Sequence, residues 1–368
     1  MKWYPYGHDF GNAEIGGVTT LANGQMLSRS IPTAFTKADT TALRGLGVDT
    51  TNSLILRMND EEISYAIGEL ALEQYAEPWT GHGFIQRYAS TYSLRGLLAV
   101  AASLIPDLEC GLYVITGLPA ETYIKNMNMR QTIKKALDGS YTFTLDGGYS
   151  WRTIHVEVAL VVMEGAGALI AYGDKTTSKT AESAVIDIGG RTTDLYVARG
   201  QVPQTEYCKG KPLGVESATQ ILMDTFEGRF KRPLSRLEAR TIMHAYASHG
   251  HLTYPDFTAY GKSIEPGHVE RMVKEAITQV GTDIVSFVAS TWRQSDQGAV
   301  AASFKPVLNI GGGVYYFYSL LKEHIPHLAQ TADPLHANAY GYCTLAARLL
   351  TRKYQSYMTE EKNDAKGS

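Results

Sequence analysis

Asp187-Ile188-Gly189-Gly190-Arg191-Thr192-Thr193-Asp194 lies between two apolar runs, residues 183–188 and 195–198. Short runs of that kind, bounded by glycine and polar residues, read as a strand, a turn and a returning strand. Glycine lets the backbone approach another group closely, and successive N–H groups of such a turn form a nest for an anion. The aspartate carboxylate then faces a metal. A single Asp-x-Gly turn is most often an ordinary hairpin. Further out, the chain repeats the pattern: Asp9-Phe10-Gly11-Asn12 stands between strand-like segments near the N-terminus. Each half therefore opens on a strand, an Asp-x-Gly turn and a strand. Two such turns can hold phosphates from opposite sides, with Asp9 and Asp187 meeting Mg2+ directly or through its retained waters.

A third glycine cluster follows an apolar strand at 306–310, in Asn309-Ile310-Gly311-Gly312-Gly313. It delivers three glycines to the start of a helix, a turn that can lie flat against an adenosine and its α-phosphate. By itself it reads better as a flexible strand-to-helix turn. Neither Gly-x-Gly-x-x-Gly nor Gly-x4-Gly-Lys-Ser/Thr occurs there, which argues against a dinucleotide fold or a P-loop.

A chain of 368 residues exceeds one ordinary core and predicts two lobes. The net charge of -3, with no basic cluster, disfavours direct nucleic-acid binding. Cys110, Cys208 and Cys343 are too scattered for a zinc site or a disulfide framework, so buried free thiols are expected. No run of about 18 apolar residues occurs, so no membrane span and a cytoplasmic location are expected. Residues 358–368 are polar and are expected to be disordered.

Along the chain, short strands are predicted at 13–15, 19–21, 25–31, 54–57 and 64–67, then a helix at 91–105 and a buried strand at 111–116. A helix over 120–137, strands near 141–143 and 153–162, and a small-residue helix from 165 follow. Beyond the Asp187 turn, helical spacing covers 214–225, 234–248, 266–293, 315–323 and 337–354. The expected organisation is an α/β fold: a first lobe of 1–165 with 336–357, and a second of 166–335.

Five ordered motifs carry a resemblance across nearly the whole chain: Asp9 to Asn12, Glu164-Gly165-Ala166-Gly167-Ala168, Asp187 to Asp194, Asn309 to Gly313, and Ala337-Asn338-Ala339-Tyr340-Gly341. The set resembles the phosphate 1, connect 1, phosphate 2, adenosine and connect 2 motifs of the actin, sugar kinase and heat-shock chaperone superfamily. Ile31-Pro32-Thr33, Tyr65 to Glu69, Thr116 to Pro119 and Gly210 to Gly214 are similar to the ParM-like prokaryotic actins, which polymerise to segregate plasmids. The resemblance implies an actin-like fold of duplicated ribonuclease-H-like lobes with a nucleotide cleft between two domains. It implies ATP or ADP with Mg2+ as ligands, self-assembly into filaments, and a DNA-binding adaptor as partner.

Carried over by position, Glu164 would orient the attacking water, although a carboxylate at a helix N-terminus is its other reading. Asp9 and Asp187 would manage Mg2+ and water. Gly11, Asn12, Gly189, Gly190 and Arg191 would bind phosphates through the backbone, and Thr192 would add a hydroxyl. Gly214, Glu238, Gly311, Gly312 and Gly313 fall at nucleoside contacts, but Glu238 sits in an amphipathic helix and reads equally as a solvated charge. Asn12 is followed by Ala13 and Glu14 where many relatives have a polar or basic residue, which shifts phosphate contact onto the backbone. Few residues follow the last helix, which disfavours a chaperone. A non-polymerising phosphotransferase or nucleotide sensor stays open as the alternative to a filament-forming ATPase. The 23 tyrosines, among them Tyr88, Tyr92, Tyr254, Tyr260, Tyr354 and Tyr357, suit self-association surfaces.

Overall fold

The structure is a computed structural model that describes residues 1–39, 54–74, 78–81, 85–145, 150–173, 181–252, 257–292 and 300–364. It divides into unit 1, Met1–Thr176 with His336–Ser368, and unit 2, Thr177–Leu335.

Among the described residues of unit 1 there are nine strands: β1 (Trp3–Phe10), β2 (Glu14–Thr20), β3 (Met26–Pro32), β4 (Phe35–Ala38), β5 (Leu54–Met58), β6 (Ser64–Ile67), β7 (Glu109–Leu118), β8 (Gly139–Leu145) and β9 (Ser150–Met163). They form one sheet in the order β3-β2-β1-β7-β9-β8-β5-β6-β4. β1, β7 and β9 run parallel at its centre, and the outer pairs are antiparallel. The period of two along β1 sends Tyr4, Tyr6, His8 and Phe10 to one face, where all are buried. Helix α2 is the 91–105 segment, which the structure bounds at Thr91–Leu104; it belongs to the same core and brings Leu97 and Leu98 into it at no exposure. Burial on that scale stabilises by about 2 kcal/mol per leucine. The Ser90 hydroxyl caps this helix by accepting from the Ser93 N–H at 3.2 Å.

Glu69–Gln74 forms the short helix α1. The helix predicted over 120–137 is two, α3 (Ala120–Lys125) and α4 (Met129–Leu137). The break has a local cause: the Asn126 N–H closes the first on the Thr122 carbonyl, and the Asn128 carbonyl accepts from the Thr132 N–H to start the second. The strands predicted at 13–15 and 19–21 are one, β2, because Gly16 and Gly17 continue it. A β-carbon on Gly17 would lie 2.1 Å from the Tyr6 hydroxyl oxygen, so its small size is a packing requirement.

The other face of β1 meets α10 (Ala337–Asp364), which extends beyond the 354 predicted and into the segment read as tail. At Gly7 the backbones nearly touch: a β-carbon there would lie 2.0 Å from the Ala339 carbonyl oxygen. α10 also crosses α5 (Ala166–Tyr172) within unit 1, although α5 was expected to open the second lobe. At that crossing a β-carbon on Gly341 would lie 1.7 Å from the Gly167 carbonyl oxygen. The small residues at 165–168 and 337–341 are thus the contact surface of two crossing helices.

Unit 2 contains β10 (Glu182–Ile188), β11 (Thr193–Arg199), β12 (Val202–Pro203), β13 (Lys209–Lys211), a two-stranded ribbon of β14 (Thr258–Ala259) and β15 (Lys262–Ser263), β16 (Val307–Ile310) and β17 (Leu328–Gln330). The main sheet has the order β12-β11-β10-β16-β17, with β13 beside β11. β10, β16 and β17 are parallel. Its core joins these strands to α6 (Val215–Phe230), α7 (Arg236–His249), α8 (Pro266–Trp292) and α9 (Val314–His324) through Leu222, Phe226, Met243, Val273, Ile284 and Phe317.

The three cysteines are free and buried, and burial raises their thiols; Cys110 and Cys343 are pushed up to about 11. Among the described residues no helix is long and apolar enough to cross a membrane. Tyr260 and Tyr354 are exposed, but Tyr88 is buried and Tyr92 packs on Trp79, so neither of the latter is a free surface tyrosine. Tyr254 and the side chain of Tyr357 lie outside the described residues.

Candidate functional site

Carboxyl ends of parallel strands are where α/β sheets hold ligands, because the strands stop together and their loops fan apart. In unit 1, Asp9, Gly117 and Glu164 stand at that end of β1, β7 and β9. Asp9 pairs with Gly16 across the β1–β2 hairpin and lies on the α10 side, next to His336. Burial pushes its carboxyl up to about 6, against the pull of His336 and Arg87. His336 Nε2 lies 3.1 Å from the Ser30 hydroxyl oxygen.

Beyond Asp9, Gly11 is compressed: a β-carbon would lie 2.5 Å from the Glu14 carbonyl oxygen. The Gly11 carbonyl accepts from the Thr33 hydroxyl and from Arg87 Nη1, each at 3.0 Å. The Thr33 N–H donates to the Ala13 carbonyl at 2.8 Å. The turn is therefore strapped to the Pro32-Thr33 corner.

Glu164 is half-buried, and its N–H donates to the Leu118 carbonyl at 2.8 Å. Its side chain runs along Gly117, where a β-carbon would approach Glu164 Cγ to 3.1 Å. The next residue, Gly165, has φ +88°, a left-handed value that favours glycine. Its N–H donates to the buried Asn338 side-chain carbonyl at 2.9 Å, which ties the Glu164 corner to the start of α10.

In unit 2 the Asp187 turn closes on a Gly189 N–H to Thr192 carbonyl bond of 2.9 Å, which brings Arg191 and Thr192 round to β11. The first turn of α6 packs behind it. The Val215 and Glu216 N–H groups donate to the Gly189 and Gly190 carbonyls, at 3.2 and 2.6 Å. A trans peptide sets its N–H opposite its C=O, so the Gly190 and Arg191 N–H groups point away from α6. Gly214 makes this possible: a β-carbon on it would lie 2.6 Å from the Gly189 carbonyl oxygen. The Thr193 hydroxyl anchors the same junction by donating to the Leu213 carbonyl at 2.7 Å.

The triple glycine sits against the end of β10. Asp187 pairs with Ile310 in register, and the Gly313 N–H donates to the Ile188 carbonyl at 2.7 Å. Gly311, at φ +81°, would place a β-carbon 2.6 Å from Asp187 Oδ1. Gly312 is more open, with Leu335 as its neighbour. The Asp187 carboxylate, the Gly189-Gly190 turn, Gly214 and Gly311–Gly313 are thus one structural cluster. Glu238 is used differently: its carboxylate accepts the Ser235 N–H at 2.8 Å in a capping box and pairs with Arg232 at 2.5 Å.

Three residues at the unit 1 site were missed in the sequence: Arg87, His336 and Asn338 as a side-chain anchor. Arg87 lies 76 positions from Gly11, with no motif around it. Asn338 fell inside a quoted motif, where its amide could have been read as a cap.

Two α/β units, each ending its parallel strands in an Asp-x-Gly turn, define an actin-like fold. Residues 7–167 match the family described as "Actin like proteins N terminal domain". Among solved structures, the archaeal actin homolog Ta0583 superposes with a TM-score of 0.73 at 18% identity, covering 95% of this chain and all of that one. A 15-stranded ParM filament from Clostridium botulinum gives 0.73 at 20% identity, covering 95% and 100%. Bacillus thuringiensis ParM with AMPPNP gives 0.67 at 16% identity, covering 96% and 100%. Ta0583 has also been solved in complex with ADP. A search of curated proteins gave no match to the chain. Residues 7–167 are thus similar to the N-terminal domain of actin-like proteins, and the whole chain has the actin-like fold.

Proposed function

We propose that the chain binds and hydrolyses Mg-ATP through its Asp9 and Asp187 turns and assembles with copies of itself into nucleotide-regulated filaments. One observation carries this reading. In both units an Asp-x-Gly turn at the end of the central strands has carbonyls occupied by donors behind it: Gly11 by Thr33 and Arg87, Gly189 and Gly190 by the start of α6. Amides of those peptides are thereby turned the other way, ready for phosphate oxygens.

Asp9 and Asp187 offer hard oxygen donors, the type Mg2+ takes alongside waters and phosphate oxygens. The partly buried Asp9, its carboxyl raised by desolvation, gains when a cation arrives, so the donor set fits the ion. Bound Mg2+ would supply neutralisation of phosphate charge. Glu164, braced by Gly117 and by the Asn338 contact of its neighbour, would orient and deprotonate water. The triple glycine would take the adenosine and α-phosphate.

Self-association is supported by the filament formed by the Clostridium botulinum ParM and by the exposed Tyr260 and Tyr354. Plasmid or DNA segregation through an adaptor protein, in the cytoplasm, is the role that the ParM likeness suggests.

Sedimentation and light scattering with ATP, AMPPNP and ADP test the reading. ATP and AMPPNP should yield pelletable polymer and ADP less. Glu164→Ala should keep the polymer but slow phosphate release about 10²- to 10⁴-fold. Absence of polymer with ATP at any micromolar concentration sinks the filament. Wild-type hydrolysis in Glu164→Ala sinks the role of Glu164.

A further inference from the structure

Arg87 is a cation in an unusual place. It lies in the short 3-10 helix Ile85–Ala89 and is only 4% exposed. Its guanidinium lies over the Tyr88 and Phe10 rings, 4.2 and 5.3 Å from their centroids. It donates to the Tyr88 hydroxyl at 2.6 Å and to the Gly11 carbonyl at 3.0 Å. Among the described residues its hydrogen bonds go to these neutral acceptors, and the Asp9 carboxylate acts on it electrostatically without a hydrogen bond.

A buried cation without a bonded counter-ion is costly, and the cost falls when an anion settles close by. The anion that fits is fixed by what Arg87 touches. Among the described residues its guanidinium meets the backbone at the carbonyl of the Asp-x-Gly turn, shared with the Thr33 hydroxyl. Two donors on one oxygen fix the plane of the Gly11–Asn12 peptide, and the trans geometry then fixes the Asn12 N–H on the opposite side. The guanidinium also reinforces that peptide's dipole: positive charge at the oxygen end polarises the N–H end toward a stronger donor. Orientation and charge act together on one amide.

We propose that Arg87 is a positioning residue for the terminal phosphates of the nucleotide, acting through the Gly11–Asn12 peptide, with Thr33 as its neutral partner. The inference rests on the nucleotide-binding reading above and adds to it a cause of selectivity for polyphosphate over monophosphate. Thr33 thereby gives the Ile31-Pro32-Thr33 segment a role in phosphate binding.

The experiment measures ATP, ADP and AMP affinities of the full chain for wild type, Arg87→Met, Arg87→Lys and Thr33→Val, with thermal unfolding run in parallel. Arg87→Met should weaken ATP about 10- to 100-fold, the scale of a lost charge-assisted hydrogen bond, while AMP changes by less than about 2-fold. Arg87→Lys keeps the charge without the planar fork and should recover part of the loss. Thr33→Val should cost ATP about 5-fold, a neutral hydrogen bond, with AMP again unaffected. A purely structural arginine would lower the unfolding temperature and leave the ATP-to-AMP ratio as in wild type. That unchanged ratio in folded Arg87→Met overturns the proposal; if that variant does not fold, an unchanged ratio in both Arg87→Lys and Thr33→Val does so. A wild type with no preference for ATP over AMP would instead overturn the nucleotide reading itself.

Discussion

His8 is the residue whose surroundings make the sharpest prediction about stability. It lies between Tyr6 and Phe10 on the core face of β1, fully buried, and neither ring nitrogen has a hydrogen-bond partner among the described residues. Burial pushes its pKa down from 6.5 to about 3. Between those values the unfolded chain holds a proton that the folded chain does not. Stability from this group is therefore intact above pH 6.5 and declines as pH falls toward 3. From pH 7 to pH 5 the loss is about 2 kcal/mol. Urea unfolding at the two pH values should show that loss in wild type and lack it in His8→Phe; an identical pH dependence in both would contradict the assignment. Little of this was legible beforehand, because a histidine in Tyr-x-His-x-Phe alternation could face either side of the sheet until α2 is seen to cover one. The turn residues around it were legible, since Asp9-Phe10-Gly11 is chemistry written in contiguous sequence. Arg87 was not, since it lies 76 positions from Gly11 and only the fold brings the two together.

Element by element, glycine decides where backbones touch. α5 and α10 cross with Gly341 facing the Gly167 carbonyl, and the added methyl of Gly341→Ala would have to push one helix away. Overpacking of that kind destabilises by about 1–3 kcal/mol. Gly228, late in α6, has nothing within 4 Å of where a β-carbon would stand. Gly228→Ala should instead stabilise by about 0.5–1 kcal/mol, by the helical preference alone. Equilibrium unfolding of the pair checks both signs; equal effects would mean that the crossing is not tight. Periodicity revealed most helices because each buries one stripe, as in α8 with Val269, Met272, Val273, Ala276 and Val280. It missed the break at Asn126–Asn128, where the Asn126 N–H closes one helix on the Thr122 carbonyl and the Asn128 carbonyl starts the next, both through backbone bonds that no side chain announces. It also read β2 as two strands, since Gly16 and Gly17 carry no hydrophobic signal although packing under Tyr6 requires a residue without a side chain.

For the whole molecule, the informative property is the likeness of two separately cored units. Each stops parallel strands at an aspartate, turns through glycines, and backs the turn with donors drawn from a later part of its own chain. That duplication was visible in the two Asp-x-Gly turns, each set between strand-like segments; the donors behind the turns were not, because hydrogen bonds to main-chain carbonyls leave no residue signature. The central proposal is that the Asp9 turn and the Asp187 turn both take part in binding Mg-ATP. Calorimetric titration of Mg-ATP into wild type, Asp9→Asn and Asp187→Asn tests it most directly. One ATP per chain, with each substitution alone weakening Mg-ATP by at least about 10-fold, is the predicted result. Two independent ATP sites, or a loss confined to one of the two substitutions, would contradict it.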